Sequence, residues 1–175
     1  MNKFSFDPSK IILRGINSSD QDFIKDFDCG NGSMQSYLRD EAYYNHITRE
    51  ASTTLVFYEG EIVGYFTLYR SPILIRQGSD ETTRDALALA RLAVAKQYQN
   101  KGIGTYIIKR IREIAYLTNE MYIKTDALYE RWEWYQKRGF KHVIDEEINP
   151  ETTAGFVYMI MELLDETLIE EYFKV

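Results

Sequence analysis

The stretch DALALARLAV, Asp85 to Val94, is apolar at every position except its first residue and Arg91. A continuous apolar run of this kind is the pattern of a central strand buried on both faces. Directly after it comes KQYQNKGIGTYIIKRI, Lys96 to Ile111, which opens polar, carries Gly102 and Gly104, and then becomes periodic. Ile103, Ile107, Ile111 and Ile114 with Ala115 fall on one helical stripe, so this helix packs against a sheet. A strand covered on both sides and a helix with one apolar face fix the class as α/β, a mixed sheet flanked by helices.

The rest of the chain fits that frame. KIILRGIN reads as a first strand, and the segment from Ser18 to Glu50 as helical in two pieces. Ser18 or Ser19 is placed to cap the first piece, CGNG to break it, and Ser33 to cap the second. TTLVFYEGEIVGYFTLYRSPILI predicts two strands meeting at EGE. MYIKTDAL predicts another strand, YERWEWYQKR a helix stopped by Gly139, and FKHVIDEE and GFVYMIMEL two final strands. DETLIEEYFKV reads as a short amphipathic helix. The order is β-αα-β-β-β-α-β-α-β-β, with no repeat or linker to divide it. A single domain over residues 1–175 is expected.

Charge is uneven. The net charge is −6, which argues against a general affinity for nucleic acid. Yet Arg91 to Lys141 holds eleven Lys or Arg against five Asp or Glu, a net +6, while the remainder carries −12. A basic segment inside an acidic protein points to a local anionic ligand. Cys29 is the single cysteine, with no internal disulfide partner. The opening MNKFSFDPSK lacks the apolar stretch of a signal peptide, and no run has the length of a membrane span. A cytoplasmic protein without a membrane partner is the expectation.

The strand–helix junction is the natural anion site. A helix start leaves backbone N–H groups without intrahelical partners, and its dipole favours negative charge. Glycines let a phosphate approach the backbone, Lys101 adds a mobile cation and Thr105 a hydroxyl. The set suits a pyrophosphate. It is not a Walker loop, which needs Gly-Lys-Ser/Thr after a longer glycine loop. Nor is it a dinucleotide fingerprint, since Ile107 stands where the third glycine belongs.

Gln99-Asn100-Lys101-Gly102-Ile103-Gly104 has the Q/R-x-x-G-x-G/A form of the GNAT N-acetyltransferases. It follows ARLAVAKQYQ, and WYQKRGF, Trp134 to Phe140, is similar to that family's Tyr-x-x-x-Gly-Phe. The element order matches as well, so the resemblance covers nearly the whole chain and implies the acyl-CoA N-acyltransferase fold. It implies acetyl-CoA as co-substrate, with no metal. The backbone of Leu92, Ala93 and Val94 would hold the pantetheine arm. Gln99, Asn100, Lys101, Gly102, Ile103, Gly104 and Thr105 would hold the pyrophosphate. Tyr135 would act as the acid toward the departing thiolate, in direct transfer to an amine without a covalent enzyme intermediate. Leu128 and Trp132 stand where many relatives carry asparagine and alanine. Asp126, Glu130 and, less directly, His46 are candidate bases, and His142 reads as structural.

The resemblance implies a primary amine acceptor, a small molecule or a protein or peptide. The acid-rich segment Asp20 to Glu61 would favour a cationic one. FDCGNGSMQSYLRDEA, followed by TTLVFYEGEIVGYFTLYRSPI, is also similar to the GNAT subgroup that includes toxins of toxin–antitoxin pairs, which acetylate aminoacyl-tRNA. That acceptor is the second reading, and a non-catalytic acyl-CoA-binding module the third. The exposed strand edges common in this fold are compatible with a homodimer.

Overall fold

The structure, a computed structural model, describes residues 6–77 and 79–174. The chain runs β1 (Ile11–Gly15), α1 (Gln21–Ile24), α2 (Gly32–Asp40), α3 (Ala42–Thr48), β2 (Ser52–Tyr58), β3 (Glu61–Gln77) and β4 (Asp80–Val94). It continues through α4 (Ile103–Leu117), β5 (Tyr122–Leu128), α5 (Trp132–Gln136), β6 (Lys141–His142), β7 (Phe156–Glu162) and α6 (Glu166–Phe173). The strands form one seven-stranded sheet in the order β1-β2-β3-β4-β5-β7-β6. This is the α/β architecture expected, with the strands in the expected places, three helices rather than two between β1 and β2, and α6 in the segment read as a short amphipathic helix.

Backbone contacts group the chain into two compact units. One comprises the chain up to Tyr69 together with Ala88–Ile111, the other Arg70–Leu87 together with the chain from Arg112 onward.

In the first unit the core gathers on Tyr65 of β3, which is fully buried. Its ring meets Phe27 edge-on at 5.7 Å between centroids and stacks on Tyr37 of α2 at 6.5 Å. A buried phenol needs an acceptor, and the Tyr65 hydroxyl donates to the Met34 carbonyl oxygen at 2.7 Å. Ile16, Ile24, Leu38, Ala42, Leu55 and Ala93 complete that core. Ile103, Ile107 and Ile111 of α4 are buried as the stripe predicts, joined by Ile108, while Ile114 is only half-buried.

The helix caps differ from the sequence expectation. Asn17, not Ser18 or Ser19, caps the turn Ser18–Asp20 that leads into α1. Asn31, not Ser33, caps α2 through a bond from the Met34 N–H. The asparagines precede the serines by one or two residues, and once they accept the free N–H groups the serines lie inside the helical turns. The second helical piece also divides at Glu41 into α2 and α3. Asp20 is a buried carboxylate. The Arg14 guanidinium grips both of its oxygens and the Asn17 N–H adds a bond at 2.7 Å, which together hold its carboxyl below the usual range.

The β2–β3 hairpin carries a bulge. Val56 pairs with Gly64 and Phe57 with Ile62, leaving Val63 as the extra residue. Its carbonyl accepts the Ala95 N–H at 2.8 Å, just past the end of β4. At the next position, a Cβ on Gly64 would lie 2.6 Å from the Ala93 carbonyl oxygen. Two backbones therefore meet where only glycine fits.

The second unit is organised on β7. It pairs antiparallel with β5 from Tyr122↔Glu162 to Leu128↔Phe156, and with β6 at Lys141↔Ile160. Val157, Met159 and Met161 alternate inward and are buried, as are Ile123, Ala127 and Phe140. FKHVIDEE yields only a two-residue strand. The Glu147 carboxylate, in a turn over Asp145–Glu147, takes the Tyr158 N–H at 2.6 Å and so occupies the donor a longer β6 would use. Buried Glu120 is paired with Arg70 at 2.8 Å. Among the described residues, no helix is long and apolar enough to cross a membrane.

Gly64→Ala should be costly although the added group is one methyl. Forcing it against the Ala93 carbonyl is overpacking, worth about 1–3 kcal/mol. Thermal unfolding should register a Tm lower by roughly 2–10 °C. An unchanged Tm would show that the two backbones are not held at this distance.

Candidate active site and cofactor cradle

The predicted cofactor residues form one continuous stretch of the first unit. Leu92, Ala93 and Val94 end β4, Lys96–Tyr98 make a short turn, and α4 starts at Ile103. Asn100 and Gly102 both have positive φ, 59° and 91°. The second suits glycine, and a Cβ there would also meet the Phe6 ring at 3.0 Å. The first α-helical bond is from the Tyr106 N–H to the Gly102 carbonyl at 3.0 Å. Ile103, Gly104 and Thr105 thus form the first turn, whose N–H groups point along the helix axis away from the helix body. Lys101 sits beside it, its Nζ 5.5 Å from the Tyr98 ring centroid. A positive helix end, a glycine turn and a lysine fit the pyrophosphate of acetyl-CoA, and none of them is a metal ligand.

Gln99 has a role the sequence did not disclose. Its side-chain amide donates to two carbonyl oxygens, Cys29 and Val94, both at 2.9 Å. Its backbone N–H is taken by Lys96 O. Gln99 therefore ties the end of β4 to the loop between α1 and α2. Lys96 repeats the connection, with its N–H on the Asp28 carbonyl at 2.9 Å and its Nζ on the Asp28 carboxylate at 2.9 Å. That lysine, with the Gly30 N–H, holds the Asp28 carboxyl below its ordinary range. The only sequence signal for this strap was CGNG, which reads equally well as a helix break.

Tyr135 belongs to the second unit. It is half-buried on α5, with its ring edge-on to Trp134 at 4.9 Å and to Phe140 at 5.5 Å. Gly139 at φ 97° ends the helix. Its N–H returns to Gln136 O and the Phe140 N–H to Tyr135 O, the paired bonds of a Schellman turn. This closure packs Phe140 back onto Tyr135. Arg138 covers the other aromatic, its guanidinium 3.7 Å from the Trp134 centroid. Desolvation pushes the Tyr135 hydroxyl up to about 12, against the pull of Arg131 and Arg138. It is a protonated donor throughout the neutral range.

The candidate bases separate. His46 accepts the Thr53 N–H at Nδ1, 3.1 Å, and its ring lies within 3.3 Å of where a Gly15 Cβ would stand. It pins α3 to β2, and the accepted bond places the proton on Nε2. His142 contacts Asp145 at 3.0 Å and the edge of Trp132 at 5.9 Å between centroids. Asp126 and Glu130 are exposed. His46 thus serves structure, while the buried His142 Nδ1 has no hydrogen-bond partner among the described residues. Trp132 packs on His142, and Leu128 lies opposite Phe156 in the β5–β7 register. The acid-rich amino-terminal segment is partly neutralised. Asp20 is paired with Arg14, Asp22 with Lys25, Asp28 with Lys96 and Glu59 with Lys10. Among the described residues, no group of three or more His, Cys, Asp or Glu is arranged to hold a metal.

The chain belongs to the acetyltransferase (GNAT) domain family, whose model matches residues 50–142. That span includes β4, the cradle and Tyr135. A curated relative, the tRNA-acetylating toxin of Mycobacterium tuberculosis (strain ATCC 25618 / H37Rv), is 26% identical over 97 residues. The match covers 52% of this chain and 58% of that protein, so the chain spans less than two thirds of the relative's length. Two solved structures share the fold. AtaTR bound with acetyl-CoA aligns with a TM-score of 0.65 at 16% identity, covering 94% of this chain and 99% of that one. AtaT complexed with acetyl-methionyl-tRNAfMet aligns with a TM-score of 0.66 at 16% identity, covering 93% and 99%.

Tyr135→Phe should lower kcat by about 10²- to 10⁴-fold with acetyl-CoA affinity unchanged. Because the hydroxyl titrates only near 12, no loss of rate from its ionisation should appear up to pH 10. Full turnover in Tyr135→Phe would remove Tyr135 from the chemistry. A wild-type rate that falls with an apparent pKa near ~9, absent from the variant, would show that burial does not raise the hydroxyl as described.

Proposed function

We propose that this chain is an acetyl-CoA-dependent N-acetyltransferase, one catalytic domain over residues 1–175, whose acceptor is the free α-amine of an aminoacyl-tRNA. The observation that carries the choice of acceptor is the commitment of His46, the candidate base in the amino-terminal helices, to the Thr53 N–H. An alkyl amine such as a lysine side chain or a polyamine has a pKa near ~10.4 and needs a base to become a nucleophile. An α-amine, at roughly 7.7–8.0, is already partly neutral at physiological pH. A site without a committed histidine base suits the second kind. The similarity to a tRNA-acetylating toxin over about half of this chain supports the same acceptor. The pairing of Asp20, Asp22, Asp28 and Glu59 with cations takes away much of the negative field that would have favoured a cationic amine.

Acetyl-CoA, when bound, supplies the acetyl thioester. The first turn of α4 and Lys101 would hold its pyrophosphate, and the end of β4 its pantetheine arm. Tyr135 would donate a hydrogen bond to the sulfur as negative charge develops there. A phenol at about 12 is a weaker acid than a thiol near ~8.5, so its contribution is stabilisation of the developing thiolate rather than complete proton delivery. The proton that the amine loses on becoming an amide passes to solvent, while CoA leaves as its thiolate.

The test is an acceptor panel with labelled acetyl-CoA, covering polyamines, free amino acids, peptides, and charged and uncharged tRNA. Label is expected on charged tRNA alone and should be released by alkaline hydrolysis of the ester. Preferential labelling of polyamines or peptides would replace this reading with the small-molecule or protein acceptor. No transfer to any of them would favour a binding module.

A further inference from the structure

Arg91 is the apolar strand's one internal charge, and nothing described so far uses it. Its guanidinium lies 4.3 Å from the centroid of Tyr37. Tyr37 is itself buried and stacks on Tyr65, and Tyr65 is anchored by its bond to Met34. The platform beneath Arg91 is therefore rigid. Ala93, two residues on and so on the same face of β4, is buried in the same cluster. Arg91 is half-buried at the rim of that core. No hydrogen bond or ion pair reaches its side chain from the described residues.

Four other cations of this unit are placed differently. Lys10, Arg14, Lys25 and Lys96 each contact a carboxylate. A guanidinium carries five donors in a planar fork, suited to two oxygens of one phosphate, and stacking on a ring leaves its edge available for them. An aromatic platform fixes the fork's plane without consuming its donors.

We propose that Arg91 binds the 5′-phosphate of the acceptor's 3′-terminal nucleotide and so positions the amine. This rests on the aminoacyl-tRNA reading and goes beyond it by naming the contact. The lengths agree. Eight bonds separate the amine of a 3′-aminoacyl nucleotide from its 5′-phosphorus, roughly 9 Å when extended. Arg91 precedes Val94, the last residue of the strand that would hold the pantetheine arm and its thioester, by three residues, or roughly 10 Å of strand. The carboxylate of a free amino acid lies beside its own amine and does not span that distance. Base stacking on Tyr37 is not the basis of recognition, since its ring is buried.

The experiment compares two minimal acceptors with the wild-type protein, 3′-aminoacyl-adenosine with and without a 5′-phosphate, and includes charged tRNA as a third. The phosphorylated form should have a kcat/KM higher by about 10- to 100-fold, the scale of a hydrogen-bonded charge pair. Arg91→Ala should erase that preference, and Arg91→Lys should restore part of it. Neither should change acetyl-CoA affinity or the rate with the unphosphorylated acceptor. Equal use of both forms by the wild type would overturn the proposal without recourse to any variant. A loss in Arg91→Ala that is the same for both forms would assign the residue to structure and overturn it too. Should the wild type acetylate none of the three, the aminoacyl-tRNA reading itself fails. Activity on charged tRNA with no phosphate preference sinks only the Arg91 contact.

Discussion

The first unit depends on how the end of β4 is held. Three contacts converge on Ala93–Ala95, and each is a backbone contact or a bond to a carbonyl. The bulged Val63 takes the Ala95 N–H, Gly64 leaves room for the Ala93 carbonyl, and Gln99 reaches back to the Val94 carbonyl. The strand stops where it does because its hydrogen-bonding groups are claimed at that point. The chain then makes a short turn, and α4 begins with its first turn on a defined axis. A phosphate site built from backbone N–H groups is only as well placed as the strand that precedes it. The bulge and the missing Cβ are what hold that strand end here.

The same strand end also reaches the loop between α1 and α2. Gln99 joins Val94 to Cys29, and Lys96 joins the following turn to Asp28. The segment that would hold the co-substrate and the segment beside α2 are thus fastened by the same two side chains. Arg91 and Tyr37 extend the connection one step along β4. Within this unit the strand is a common support, and its few polar side chains carry the connections outward.

Much of this was legible in the sequence because it depends on local pattern. The apolar run of β4, broken only by Arg91, the helical spacing of isoleucines in α4 and the glycine after WYQKR each specify an element through one physical rule. What could not be read depends on which distant groups meet. Nothing local distinguishes Gln99 as a clamp on two carbonyls from Gln99 as a phosphate ligand. His46 looked available until the Thr53 N–H was found on it. Asn17 and Asn31 outcompeted nearby serines as caps because they stand where the chain turns, and the serine positions are already helical. Charge counted along the sequence is limited for a related reason, since it does not show that Asp20, Asp22, Asp28 and Glu59 are held in ion pairs.

The central claim is that the turn and first helical residues after β4 form a cradle for the acetyl-CoA pyrophosphate. Calorimetric titration of acetyl-CoA into the wild type and into Gly104→Glu tests it directly. A glutamate in the first turn of a helix is favourable for the helix itself, so thermal unfolding should be little changed. It would place a carboxylate where the phosphates belong. The account predicts saturable binding to the wild type and none to the variant at the same concentrations. Equal binding by a folded Gly104→Glu protein would contradict it.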